Sequence, residues 1–180
     1  TPNESSAASD VYKRQNFMDR GFPNRKEEDW KFSDLNQIIK KNIGELSFYC
    51  DYTSTNKVDT SVFVDGLEHN KIVFINGRIE KIDFDYEKKN QIEIIDQSET
   101  INRFSNNNSL SDLNNAFTNK CFKILVKKGY QLSKPLIIYH TFNSKIWSKN
   151  INLRLDFELN EDSSLRAVSY THLRAHETIQ

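Results

Sequence analysis

The feature that most constrains the fold is the character of the chain after Cys121. Phe122 to Val126, Leu136 to Phe142 and Ile151 to Leu159 are three apolar runs of strand length. Turns at Lys128-Gly129, Ser133-Lys134-Pro135 and Asn143-Ser144 separate them. Such a segment folds as paired or stacked strands. The region before Cys121 mixes helix and strand signals, so the element pattern predicts an α+β protein with a boundary near Cys121.

In the mixed region, Lys71-Ile72-Val73-Phe74-Ile75 is a strand by composition, and Asn76-Gly77 after it is a strong hairpin signal. The return over Arg78 to Phe84 carries Ile79 and Ile82 out of strict alternation, which predicts a bulge. Gln91 to Ile95 is a further strand, and Leu46 to Thr60 reads as loop with an embedded strand. Two short amphipathic helices are expected. The first has Ser33 as N-cap, Asp34 in its first turn, Leu35, Ile38, Ile39 and Ile43 on one face, and Gly44 as C-cap. The second is capped by Ser109 or Ser111 and carries Leu110, Leu113, Ala116 and Phe117 as a stripe. Ser98 to Phe104 is weakly helical. Ahead of the first helix, Phe22-Pro23 favours an extended entry, and Trp30 and Phe32 read as apolar anchors.

Both ends look foreign to the rest. Ser5-Ser6-Ala7-Ala8-Ser9-Asp10-Val11-Tyr12-Lys13-Arg14-Gln15 resembles a translated sequencing adaptor, and Val168-Ser169-Tyr170-Thr171-His172-Leu173-Arg174-Ala175-His176-Glu177-Thr178 resembles its partner. On this reading residues 1–15 and 168–180 are artefactual, the first of them disordered, and the genuine protein lacks both natural termini. His172 and His176, spaced like a metal pair on a helix, then belong to adaptor codons and not to a site.

The 180 residues hold 25 Lys plus Arg against 25 Asp plus Glu, a balance that argues against nucleic acid or an anionic membrane as an obligatory partner. No apolar run approaches a bilayer span. Cys50 and Cys121 lie far apart, with no metal-type spacing and no disulfide framework, so a reducing cytoplasm is the simplest setting. The chain has no glycine-rich phosphate loop, no Cys-x-x-Cys, no His-Glu-x-x-His and no Gly-x-Ser-x-Gly elbow. His69 and His140 are isolated. Cys121 reads as a small buried hydrophobe, with a thiolate beside Lys120 and Lys123 as the functional alternative. Asp156, Glu158, Glu161 and Asp162 form an acidic cluster that reads as a solvated face.

Four blocks carry a family resemblance. Phe22-Pro23, Glu28, Trp30-Lys31 and Leu35 form the first, and Lys71 to Ile75 with Asn76-Gly77 the second. Leu113-Asn114-Asn115-Ala116-Phe117 is the third. Lys128-Gly129 through Leu132, Lys134, Pro135 and Leu136 is the fourth. Their order and spacing resemble the SufD branch of the SufB/SufD family, scaffold subunits of SUF iron–sulfur cluster assembly. The chain departs from the pattern at Lys120-Cys121, where the family often has Asp-Gly. The resemblance implies a mixed α/β N-terminal domain over 16–120. It implies the first coils of a truncated right-handed parallel β-helix over 121–167. It implies a non-catalytic scaffold with no cofactor, metal or catalytic residue in this piece, acting with a SufB-like subunit and a SufC-like ATPase. Cut near Arg166, such a rod exposes an unpaired strand edge and is expected to aggregate or stay partly molten. Two other readings stand beside it. One is a carbohydrate-active β-helix enzyme, since Asp156 and Glu158 share a strand face. The other is a generic β-rich interaction domain, expected if the late strands pair antiparallel.

Overall fold

The structure, a computed structural model, describes residues 15, 17–32, 34–42, 47–49, 57–98, 109–143, 146 and 149–173. The first expected helix appears as α1 (Leu35–Asn42) and the second as α2 (Ser109–Phe117). The strands are β1 (Ser47–Phe48), β2 (Asn70–Ile75), β3 (Arg78–Asp83), β4 (Ile92–Asp96), β5 (Lys120–Val126), β6 (Leu136–Phe142), β7 (Lys149–Asn150), β8 (Leu153–Leu159) and β9 (Ala167–Leu173). Helices and strands together make the protein α+β. The chain divides into two compact units that interleave in sequence. One holds Thr1–Tyr49, Ser98–Cys121 and Ser148–Arg154, and the other Cys50–Gln97, Phe122–Trp147 and Leu155–Gln180.

In the first unit a helical turn over 17–20 closes on Gly21, whose N–H donates to the Phe17 carbonyl at 2.7 Å. Gly21 takes φ +69°, the left-handed conformation glycine adopts without a Cβ clash. Phe17 meets the ring of Phe22 edge-on at 5.0 Å, and Pro23 is buried. A 3₁₀ turn over Glu28–Trp30 follows. Trp30 is half-buried, but Phe32 is 91% exposed and is not the anchor its apolar ring implied. The chain turns tightly after Trp30, so a residue two positions on no longer shares its side. Asp34 caps α1: its Oδ1 accepts from the Gln37 N–H at 3.1 Å. Ser33, Ile43 and Gly44 lie outside the described residues, as do residues 99–104 of the weakly helical stretch.

The strand expected within Leu46 to Thr60 is β1, paired parallel with β7. Phe48 stacks on Phe117 of α2 at 4.0 Å. Ser109 opens α2, Ser111 lies inside it, and Leu113 and Ala116 are buried along it. Asp112, 1% exposed, is met by Arg20 at 3.5 Å. Cys121 is buried, as a small hydrophobe would be.

The second unit holds a four-stranded sheet in the order β3-β2-β6-β9 and a three-stranded sheet in the order β4-β5-β8. β2 and β3 form the expected antiparallel hairpin, with a register shift between Val73 and Phe74 that leaves Glu80 unmatched. β2 pairs with β6 in parallel, from Asn70 opposite Leu136 to Ile75 opposite Thr141. β6 pairs with β9 in parallel, from Leu136 opposite Ala167 to Phe142 opposite Leu173. Residues 168–173, set aside above as adaptor-like, thus occupy an edge strand, and 174–180 lie outside the described residues. β4 pairs antiparallel with β5.

The segment joining β5 to β6 runs alongside the segment joining β8 to β9. The Val126 carbonyl accepts from Asn160 N–H (3.1 Å), and Gly129 N–H donates to the Glu161 carbonyl (2.8 Å). Tyr130 C=O then accepts from Ser164 N–H (3.1 Å), Leu132 N–H donates to Ser164 C=O (3.0 Å), and Leu136 N–H donates to Arg166 C=O (2.8 Å). Both segments advance in the same direction through these bonds, and Gln131 bridges Ser164 in parallel.

The continuous apolar runs of β2 and β6 reflect burial on both faces, as parallel strands require. Val73, Ile75, Ile137 and Tyr139 form one buried cluster, covered by Val58 and Phe63. Phe74, which points the other way, contacts Phe122 at 5.8 Å between ring centres.

Candidate functional site

The groups with the most specific polar geometry lie around the β2–β6 pair. At the C-terminal ends of these strands, Asn76 takes φ 50°, a conformation asparagine tolerates better than most residues. Its Nδ2 donates to Asn143 Oδ1 at 2.8 Å, its Oδ1 accepts from the Asn143 N–H at 3.1 Å, and its own N–H donates to the Thr141 carbonyl at 3.0 Å. This asparagine pair locks the hairpin turn to the exit of β6. Beside it is a cleft of about 120 Å³ lined by Lys57, Asp59, Ile75, Thr141, Asn143 and His172. That volume falls well below the roughly 300 Å³ at which small-molecule sites begin. Asp59 is also engaged, accepting from the N–H and hydroxyl of Ser61.

A second cluster centres on Glu87, in the loop between β3 and β4. Its carboxylate accepts from Asn70 Nδ2 (2.7 Å), Tyr130 O–H (2.6 Å), Ser133 N–H (3.1 Å), Ser133 Oγ (3.0 Å) and Lys134 N–H (3.1 Å). Burial by itself would raise the pKa of this carboxyl. The donors from Tyr130, Asn70, Ser133 and Lys134 outweigh it and hold the group down to about 2, from an ordinary 4.5. Glu87 therefore clasps its own loop to the turn that leads into β6.

The third cluster is buried. His69 Nδ1 lies 2.6 Å from the Leu67 carbonyl, which can only accept, so Nδ1 carries the proton. Nε2 is then the acceptor for the Tyr139 O–H at 2.7 Å. The Tyr139 oxygen in turn accepts from the Val64 N–H at 3.0 Å. Burial pushes the Tyr139 hydroxyl up, against the opposing pull of the Val64 amide. His140, the next residue, stacks on Phe74 at 5.2 Å, and burial lowers its pKa.

The residues singled out in the sequence divide between the units. Phe22, Pro23, Glu28, Trp30, Lys31 and Leu35 belong to the first unit, as do Leu113, Asn114, Ala116 and Phe117. Asn114 closes α2, its carbonyl accepting from the Thr118 N–H at 2.8 Å. Asn76, Gly77, Gly129 and Pro135 belong to the second unit. Gly129 takes φ +72° in open space, so the backbone conformation and not crowding calls for glycine there. The Pro135 carbonyl accepts from the Asn70 N–H at 2.8 Å, where β2 and β6 begin together. Of the acidic cluster, Glu158 pairs with Lys123 at 2.7 Å and Glu161 pairs with Lys128. Glu87, Tyr130 and Tyr139 carry no signal in the sequence, and Asn143 stands there only as a turn residue. Their partners lie tens of residues away, and no local motif marks them.

Among the described residues no group of three or more His, Cys, Asp or Glu is placed to hold a metal ion, and no helix is long and apolar enough to cross a membrane. No protein-family model matches the chain, and no curated protein sequence matches it.

Proposed function

We propose that this chain is the front part of a non-catalytic scaffold subunit of SufD type, acting in the cytoplasm with a SufB-like subunit and a SufC-like ATPase in iron–sulfur cluster assembly. The observation that carries the reading is the parallel pairing of β2 with β6. The same-direction hydrogen bonds between the 126–136 and 160–166 segments add to it. Strand–turn–strand units laid in register on one another are what the first coils of a right-handed parallel β-helix require. Stacked coils give a stiff rod with flat faces suited to docking partners. The four sequence blocks support the same reading, because Asn76-Gly77, Gly129 and Pro135 sit at the turns and strand starts that fix this register. The parallel run of the 126–136 segment beside the 160–166 segment weighs against the generic β-rich domain. The Lys123–Glu158 pair weighs against a carboxylate pair kept for sugar hydrolysis.

The test is genetic and biochemical. The full reading frame containing residues 16–166 is co-expressed with SufB-like and SufC-like subunits in cells lacking their own scaffold. The reading expects one co-purifying complex and recovery of iron–sulfur enzyme activity. Failure of both, with all three subunits soluble, sinks it.

A further inference from the structure

The turn between β2 and β3 holds the chain's single Asn-Gly pair, Asn76-Gly77. In an open peptide such a pair modifies itself. The glycine nitrogen gives up its proton to water and bonds to the asparagine side-chain carbon, and ammonia leaves with a proton taken back from water. A second water then opens the imide ring at either carbonyl, which leaves aspartate or isoaspartate. Glycine favours the step because no Cβ crowds the attacking nitrogen. The fold keeps the two reacting atoms apart. We propose that Asn76-Gly77 is a latent self-modification site, shut by the turn and by Asn143 and opened only when the turn leaves the exit of β6.

Three features shut the site. The first is the backbone. Ile75 pairs with Arg78 across the turn, and Asn76 and Gly77 take φ 50° and 82°, which makes it a two-residue turn of type I′. The first position of that turn has ψ of about +30°. At that ψ the Asn76 Cβ stands nearly opposite Gly77 N across the Cα–C bond, whereas ring closure needs both on one side. The second is the side chain, which is tied at both ends. Its Nδ2 donates to Asn143 Oδ1 at 2.8 Å, and its Oδ1 accepts from the Asn143 N–H at 3.1 Å. The Asn76 N–H is also engaged, donating to the Thr141 carbonyl at 3.0 Å. The third is burial: Asn76 is 2% exposed, so water does not reach the nitrogen that must leave. The chain carries its own reference in Asp65-Gly66, its single Asp-Gly pair, which closes the same imide by losing water instead of ammonia. Asp65 is exposed, and Gly66 stands in open space with φ +71°. Modification at Asn76 also removes its own lock. The amide that donated to Asn143 becomes a carboxylate, which only accepts. Isoaspartate further lengthens the main chain by a methylene inside a two-residue turn.

The 180-residue chain is incubated at neutral pH with and without urea sufficient to unfold it, and its peptides are mapped by chromatography and mass spectrometry for aspartate and isoaspartate. The rate at position 76 in the folded chain is the open-turn rate scaled by the fraction of time the turn is open, so it is expected to be at least about tenfold slower than in the unfolded chain. Position 65 should slow by less than about threefold. Asn143→Ala deletes one of the two side-chain bonds and should speed the reaction at 76 by about threefold to tenfold, with position 65 unchanged and the circular dichroism of a folded chain. Hydrogen exchange at the Asn76 amide measures the same opening in the unaltered chain, independently of any variant. Its protection factor should agree with the slowing at 76 to within about threefold. Equal rates at 76 in folded and unfolded chain, slowing at 76 no greater than at 65, an unprotected Asn76 amide, or a folded Asn143→Ala chain that reacts no faster would each overturn the proposal.

Discussion

Glu87 should be the costliest charged side chain to remove from the second unit. Its carboxylate collects five hydrogen bonds from four residues, Asn70 at the start of β2 and Tyr130, Ser133 and Lys134 on the turn that leads into β6. The fall of its pKa from 4.5 to about 2 sets a ceiling of about 3 kcal/mol on the stability tied to its ionisation. Glu87 is half-buried, and solvent screens part of that, so a realistic contribution is about 2 kcal/mol. A hydrogen bond to a charged group contributes about 1.5–3 kcal/mol, and bonds sharing one acceptor do not add, so bond counting lands in the same range. Glu87→Ala is therefore expected to destabilise by about 2 kcal/mol in urea unfolding near neutral pH. Glu87→Gln separates charge from shape. A carboxyl whose pKa is depressed on folding stabilises fully above its unfolded value and loses that contribution as pH falls through the folded one. The gap between the parent chain and Glu87→Gln should be widest above about pH 5 and shrink by more than half by about pH 3. Circular dichroism across that range measures it. A gap that does not change with pH, or an alanine variant costing less than about 0.5 kcal/mol, would refute the clasp.

Two further substitutions probe the sheet and the entry segment. Asn76→Ala removes both side-chain bonds to Asn143 and forces φ 50° on a residue that avoids it, so it should lower unfolding stability by about 1–3 kcal/mol; Asn76→Gly, measured in the same urea series, should recover the backbone part of that loss. Phe32→Ser should shift the calorimetric midpoint negligibly, a change within about 0.5 kcal/mol, because the ring is 91% exposed.

The sequence carried the strands well because their signals are local. Lys71 to Ile75 and Leu136 to Phe142 are continuous apolar runs, the mark of strands buried on both faces, and they became the central parallel pair. Asn76-Gly77 set the hairpin, and the broken alternation at Ile79 and Ile82 announced the register shift opposite Val73 and Phe74. What local patterns do not carry is partnership. Nothing at residues 70–75 says that the neighbour on one side lies at 136–141, so a hairpin read as part of the early region shares its sheet with a late strand. The polar clusters were illegible for the same reason. His69 looked isolated because Tyr139 lies 70 residues away, and Glu87 looked like one more loop carboxylate because its donors come from 70 and 130–134. Phe32 failed differently: hydrophobicity alone promised burial, and the tight turn after Trp30 took precedence.

The position of β9 shows how little a sheet edge asks of the strand that joins it. Its residues lie where the sequence resembles adaptor, yet they pair with β6 over the full seven positions from Ala167 to Leu173. Side-chain burial does not drive this, since Val168 is 56% and Tyr170 39% exposed. The edge of β6 offers a row of N–H and C=O groups, and a strand without Asp, Glu, Lys, Arg or proline exchanges its water bonds for them with no ionised side chain to desolvate. Register is set upstream instead. The bond from Leu136 N–H to the Arg166 carbonyl, after those at Gly129, Tyr130 and Leu132, delivers the chain to β6 already aligned. The register of this sheet is therefore supported by the turn that Gly129 and Pro135 shape and Glu87 clasps. The strands that follow inherit their partners from it.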